Sequence, residues 1–96
     1  MSAKANINRK IEVELESHEL DAVRRIRYLD DIMTGVLDSA RPSRVDGFVV
    51  LTGDRFAFEH LAGEIAHAVN HSRRWSAQVD ALSSAVDAIE SALTDH

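Results

Sequence analysis

His60, Glu64, His67 and His71 follow one another at spacings of four, three and four residues, which sets one ligand-type side chain on each successive turn of one helix face. Imidazole nitrogens and carboxylate oxygens bind zinc and iron, and Glu64 with His67 has the Glu-x-x-His spacing of carboxylate-bridged metal bundles. Such a bundle draws further inward carboxylates and a second Glu-x-x-His from other helices, and the chain has neither in a matching place. The same four residues flank Leu61, Ile65 and Ala68, so a polar edge beside an apolar stripe accounts for them without a metal. They stand as second-rank metal candidates, and no cofactor is expected.

No serine lies in a Gly-x-Ser-x-Gly turn, and Asp30 and Asp31 adjoin on a helix, where successive side chains diverge. Gly53 and Gly63 belong to no phosphate-cradling loop. No catalytic set is expected, and the protein reads as a non-enzyme. Arg24, Arg25 and Arg27 form one basic cluster, and Arg73 with Arg74 forms a second beside Trp75, the single tryptophan. Spacings of four link Asp21 to Arg25 and Arg27 to Asp31, the pairing that keeps a helix face solvated. Trp75 next to two arginines has the composition of a binding hot spot, although its place on an apolar seam makes core packing its default role. The apolar run Phe48, Val49, Val50 and Leu51, with Phe56 and Phe58, supplies a second candidate surface. The partner-binding candidates are therefore Phe48, Val50, Leu51, Phe56, Phe58, Arg73, Arg74 and Trp75.

The elements that hold these residues are read from periodicity. Ile11, Val13 and Leu15 alternate with Glu12, Glu14 and Glu16, a period of two that predicts a strand or extended arm over 10–16. Ser17 is a good N-cap, with Glu19 and Asp21 in the first turn. Ala22, Ile26, Leu29, Met33, Val36 and Ala40 then recur at alternating spacings of four and three, which predicts a helix over 17–40 ended by Pro42. Phe48 to Leu51 reads as a buried strand or apolar link, bounded by Asp46-Gly47 and Gly53-Asp54, that could pair with residues 10–16. From Phe58 through Leu61, Ile65, Ala68, Ser72, Trp75, Val79, Leu82, Val86 and Ile89 to Leu93 the four-three spacing never slips. That heptad seam predicts helices over 56–71 and 73–94, continuous or broken near Asn70 to Arg74. Residues 1–9 lack any period and read as a flexible arm before a single helical domain over 10–96. The fold class expected is mainly α, a small helical hairpin or three-helix bundle with room for a short two-stranded β element.

A chain of 96 residues with 45% apolar content folds as one domain whose core is barely self-sufficient. The absence of cysteine excludes disulfides and thiolate metal sites. Its net charge of -5 disfavours direct binding to nucleic acid. No run reaches the roughly 18 apolar residues of a membrane span, and IEVELE rather than an apolar stretch follows the basic N-terminus, which points to a cytoplasmic protein.

The succession of helix, short apolar link and long Ala-rich C-terminal helix over Leu20 to Leu93 resembles the small antiactivators that accompany quorum-sensing control of conjugative elements in rhizobia. The resemblance implies a protein that binds a transcriptional activator and blocks it, with no enzymatic activity and no cofactor. It rests on the general pattern, and it carries over no site residue. The expected function is thus regulation through binding another protein. A structural homodimer or assembly component is the first alternative, and a small metal-binding helical protein the second.

Overall fold

The computed structural model describes residues 10–94, so the N-terminal arm expected over 1–9 lies outside the described residues. Strand β1 (Ile11–Glu16) leads into helices α1 (Ser17–Arg24) and α2 (Asp31–Asp38). The short strand β2 (Arg41–Pro42), strand β3 (Phe48–Gly53), and helices α3 (Arg55–Asn70) and α4 (Ala77–Thr94) follow. The strands form one antiparallel sheet in the order β1-β3-β2. The fold is therefore α+β, with four helices and a three-stranded sheet among the described residues, which corrects the expected helical hairpin or three-helix bundle.

The sheet arises where alternation meets residues that suit a half-buried pleated surface. Ile11, Val13 and Leu15 are buried while Glu12, Glu14 and Glu16 are exposed. Their register on β3 sets Val13 against Leu51 and Leu15 against Val49 on the inner face, and Glu14 against Val50 and Glu16 against Phe48 on the outer. A third strand, missing from the sequence expectation, is only two residues long, too short to show a period. It pairs Arg41 with Val50 and Pro42 with Val49. Its turn back into β3 uses Gly47, at φ 85°, a backbone conformation that glycine adopts without strain.

Main-chain groups in an antiparallel strand point alternately to one neighbour and the other. Thr52 N–H donates to the Ser39 hydroxyl at 2.8 Å and the Phe48 carbonyl accepts from Ser43 N–H at 3.1 Å, so the even-numbered residues of β3 face β2. Val49, Leu51 and Gly53 accordingly face β1, where their partners are Leu15, Val13 and Ile11.

The helix expected over 17–40 is two helices. Asp30 accepts the Met33 N–H at 3.0 Å and so starts α2 as an N-cap, after a non-helical stretch from Arg25 in which Ile26 and Leu29 are half-buried. Arg24, at the end of α1, donates to the Leu37 carbonyl at 3.3 Å, tying the end of one helix to the end of the other. Helix α1 itself is capped by Glu16, whose N–H donates to the Glu19 carboxylate at 2.8 Å. Ser17, the expected cap, instead donates N–H and hydroxyl to the Gly47 carbonyl, at 2.8 and 3.1 Å.

The heptad seam is also divided. Its residues on α3 and α4 point into one core, but Ser72 and Trp75 fall in the exposed turn between the helices. Ser76 accepts the Val79 N–H at 3.2 Å and opens α4, which starts at Ala77 rather than at 73. The two helices fold back on each other: Arg55 at the start of α3 donates to the Leu93 carbonyl near the end of α4, at 2.7 Å. The helices adjoin in the order α1, α4, α3, α2, with α4 against β1 and α2 against β3. Phe58, Leu61, Ile65, Val23, Ile89 and Leu51 have no exposed surface and form the centre. Each such side chain contributes about 1.5–3 kcal/mol of burial. No helix among the described residues is long and apolar enough to cross a membrane.

Candidate functional site

Because the helices gather on one face, the other face of the sheet is open among the described residues. Its outward residues are Glu12, Glu14 and Glu16 on β1, Phe48, Val50 and Thr52 on β3, and Arg41 on β2. Solvated sheet faces ordinarily carry polar residues in the outward register. Here the central strand presents Phe48 and Val50, both half-buried, and the preceding turn adds Val45 at 51% exposure. A groove of about 640 Å³ lies over this face, bounded by β1, β2 and the turn, with Val50 in its floor and Arg44 and Val45 on its rim.

Polar contacts hold the rim in place. Arg41 donates to Glu12 at 2.5 Å and to the Thr52 hydroxyl at 2.8 Å, so it reaches across β3 to the far strand. The Ser43 hydroxyl donates to Glu14. Both carboxylates therefore lean over the sheet, and the surface combines an apolar strip with an acidic border.

The partner-binding residues expected from the sequence divide into four groups. Phe48 and Val50 lie on the open face. Leu51 and Phe58 are fully buried and belong to the core, a correction that follows from the inward register of Leu51 and from the seam position of Phe58. Phe56 is 63% exposed on the first turn of α3, where its ring stacks on His60 with centroids 6.0 Å apart. Arg73, Arg74 and Trp75 sit in the turn at the other end of α3, roughly 24 Å away along the helix. Trp75 is 68% exposed, which replaces the core role that its seam position implied. The structure does not bring these groups into one patch.

The histidine stripe does lie on one outer side of α3, but its histidines are engaged with other groups. His60 Nε2 meets the Asp30 carboxylate at 2.5 Å. The Met33 N–H, and after it His60, hold the Asp30 carboxyl below its ordinary value. His71 Nδ1 meets the His67 carbonyl at 2.9 Å, and the two imidazole rings are 4.0 Å apart. Among the described residues, the group of three whose ligand atoms converge is a different one, Glu16, His18 and Glu19. There the Glu19 carboxylate is already occupied by the Glu16 N–H of the capping box. Neither set forms a closed ligand cage.

Sequence reasoning missed the part that β1 plays on the open face. The alternation that put Glu12, Glu14 and Glu16 on one side was visible, but only the register shows that Phe48 and Val50 share that side. No family model, curated protein or solved structure matches the chain.

Proposed function

We propose that this protein is a non-enzymatic binding module that regulates another protein by covering part of its surface. The observation that carries the reading is the open sheet face, where Phe48 and Val50 occupy outward positions of the central strand that solvent alone would fill with polar residues. The heptad seam, apart from Ser72 and Trp75 in the exposed turn, is packed inside the chain along α3 and α4. Contact with a partner therefore falls to the sheet face, with the exposed Trp75 turn as a separate anchor. A transcriptional activator is the partner class that the antiactivator resemblance suggests, and the cytoplasm is the setting proposed, where such activators work.

The test compares the wild-type chain with Val50→Glu, a substitution on the open face that leaves the core intact. Affinity capture from the native cell is expected to recover one near-stoichiometric protein with the wild type and to lose it with Val50→Glu, which stays folded by circular dichroism although its carboxylate stands opposite Glu14 and lowers thermal stability. Recovery of the same partner by both chains would move the site off the sheet face. A chain that recovers no partner and runs as a dimer by light scattering would replace regulation with a structural homodimer.

A further inference from the structure

The geometry points to strand addition at β1 as the way this protein takes hold of its partner: a partner segment with Lys or Arg at alternate positions pairs with the open edge at Glu12 and Glu14. The inference rests on the binding role proposed above and adds to it the place and chemistry of recognition.

β1 is an edge strand, since the sheet order is β1-β3-β2. Ile11, Val13 and Leu15 direct their main-chain groups into β3, opposite Gly53, Leu51 and Val49. Glu16 N–H points the other way and is taken by the Glu19 carboxylate at 2.8 Å. The period of two places the N–H and C=O groups of Glu14 and Glu12 on that same outer side. Among the described residues, no other main-chain group bonds to them there. The capping box thus closes the edge at Glu16 and leaves a short open window at Glu12 and Glu14. An extended segment that pairs with this window satisfies those groups, as in other cases of strand addition to a sheet edge.

Side chains then decide which segment fits. Residues directly opposite Glu12 and Glu14 on an added strand project on the same outer face, about 5 Å away between Cβ atoms, where opposite charge stabilises and like charge destabilises. Every even-numbered position of β1 is glutamate. An antiparallel pairing of two β1 strands therefore sets glutamate against glutamate, which disfavours a second copy as the occupant. Arg41 partly neutralises Glu12, whereas Glu14 accepts the neutral Ser43 hydroxyl, so Glu14 carries the stronger preference for a cation. The partner strand alternates basic residues on this face with apolar residues on the side of the helices.

The probe is an end-blocked eight-residue peptide of alternating Lys and Val, titrated into the full chain and followed by amide NMR and hydrogen exchange. Two controls accompany it: the same peptide with Glu in place of Lys, and the Lys peptide N-methylated at the lysines, whose N–H groups would face β1. The Lys peptide is expected to slow exchange at the Glu12 and Glu14 amides, to bind about tenfold more tightly than either control, and to lose preference over the Glu peptide in Glu14→Gln. The double variant Glu12→Lys/Glu14→Lys is expected to reverse the preference. Equal binding of the N-methylated peptide, or no binding of the Lys peptide at millimolar concentration, overturns strand addition. Shifts at Phe48 and Val50 without protection of Glu12 and Glu14 also overturn it, while leaving the open-face binding role standing. Loss of that role itself is read separately, from the capture experiment with Val50→Glu.

Discussion

On the inner side of the sheet, Ile11, Val13, Leu15 and Leu51 belong to the core shared with the helices and have almost no exposed surface. One residue along the same strands, Glu12, Glu14, Phe48 and Val50 look outward, and all but Phe48 line a groove. The two faces share backbone, register and twist, and differ only in which alternate residues they receive. The difference separates the residues that hold the fold together from those free to meet something else, and it does so within two strands of six residues each.

Substitution at adjacent positions of β3 would break that contrast most directly. Leu51→Ala is expected to cost about 2–5 kcal/mol in urea unfolding, because it leaves a cavity in a site with no exposure. Val50→Ala, one residue earlier, is expected to cost about 1 kcal/mol or less. Equal losses would mean that the outer face is covered as fully as the inner.

Two glycines sharpen the same comparison with opposite signs. A Cβ on Gly53 would lie 3.1 Å from Val36 Cγ2 and 3.4 Å from Phe58 Cε2, so Gly53→Ala is expected to lower stability by about 1–3 kcal/mol as α2 and α3 give way. Gly35, on the exposed side of α2, has nothing within 4 Å of such a Cβ. Gly35→Ala is expected to raise stability by about 0.5–1 kcal/mol through the unfolded chain's lost freedom. Thermal unfolding of the two variants checks both.

At the junction of the two layers, Asp54 accepts the Ala57 N–H at 2.8 Å and starts α3 immediately after β3. Asp54→Ala is expected to cost about 1 kcal/mol by chemical denaturation. The smallest effect concerns acid. The folded chain holds the Asp30 carboxyl below its ordinary value of 3.8, chiefly through the Met33 N–H and then through His60. A depressed carboxyl contributes stability that is present above the unfolded value and lost as pH falls through the folded one. The stability difference between wild type and Asp30→Asn, which keeps a capping side chain, is therefore expected to persist above about pH 4 and to close below it. A gap that widens toward low pH would assign the acid sensitivity to another group.

What the sequence made legible follows from what periodicity measures. The alternation of Ile11 to Glu16 located β1, and the four-three spacing located the buried sides of α3 and α4. Spacing tells which residues share a side of an element, and it continues unbroken through a turn when the chain folds back on one core. For that reason the helix expected over 17–40 hides the break before Asp30, and Trp75 keeps the four-three spacing although it lies in the exposed turn between α3 and α4. Asp30 was a readable cap three residues before Met33, overshadowed by the apolar stripe. The count of strands was out of reach, since β2 is two residues long and its membership rests on pairing with Val49 and Val50. The open face was half visible: its acidic border lay in the alternation, while its apolar floor depends on the cross-strand register.

Pro42 gives the sheet a direction of growth. Arg41 turns its main-chain groups toward Val50, which leaves Pro42, a residue without an N–H, as the outward-facing member of a two-residue strand. Among the described residues, one edge of the sheet is blunt and the other is open at Glu12 and Glu14. If a partner strand adds at β1 as proposed, the sheet receives one strand and passes none on, so growth through its edges would stop at a single partner.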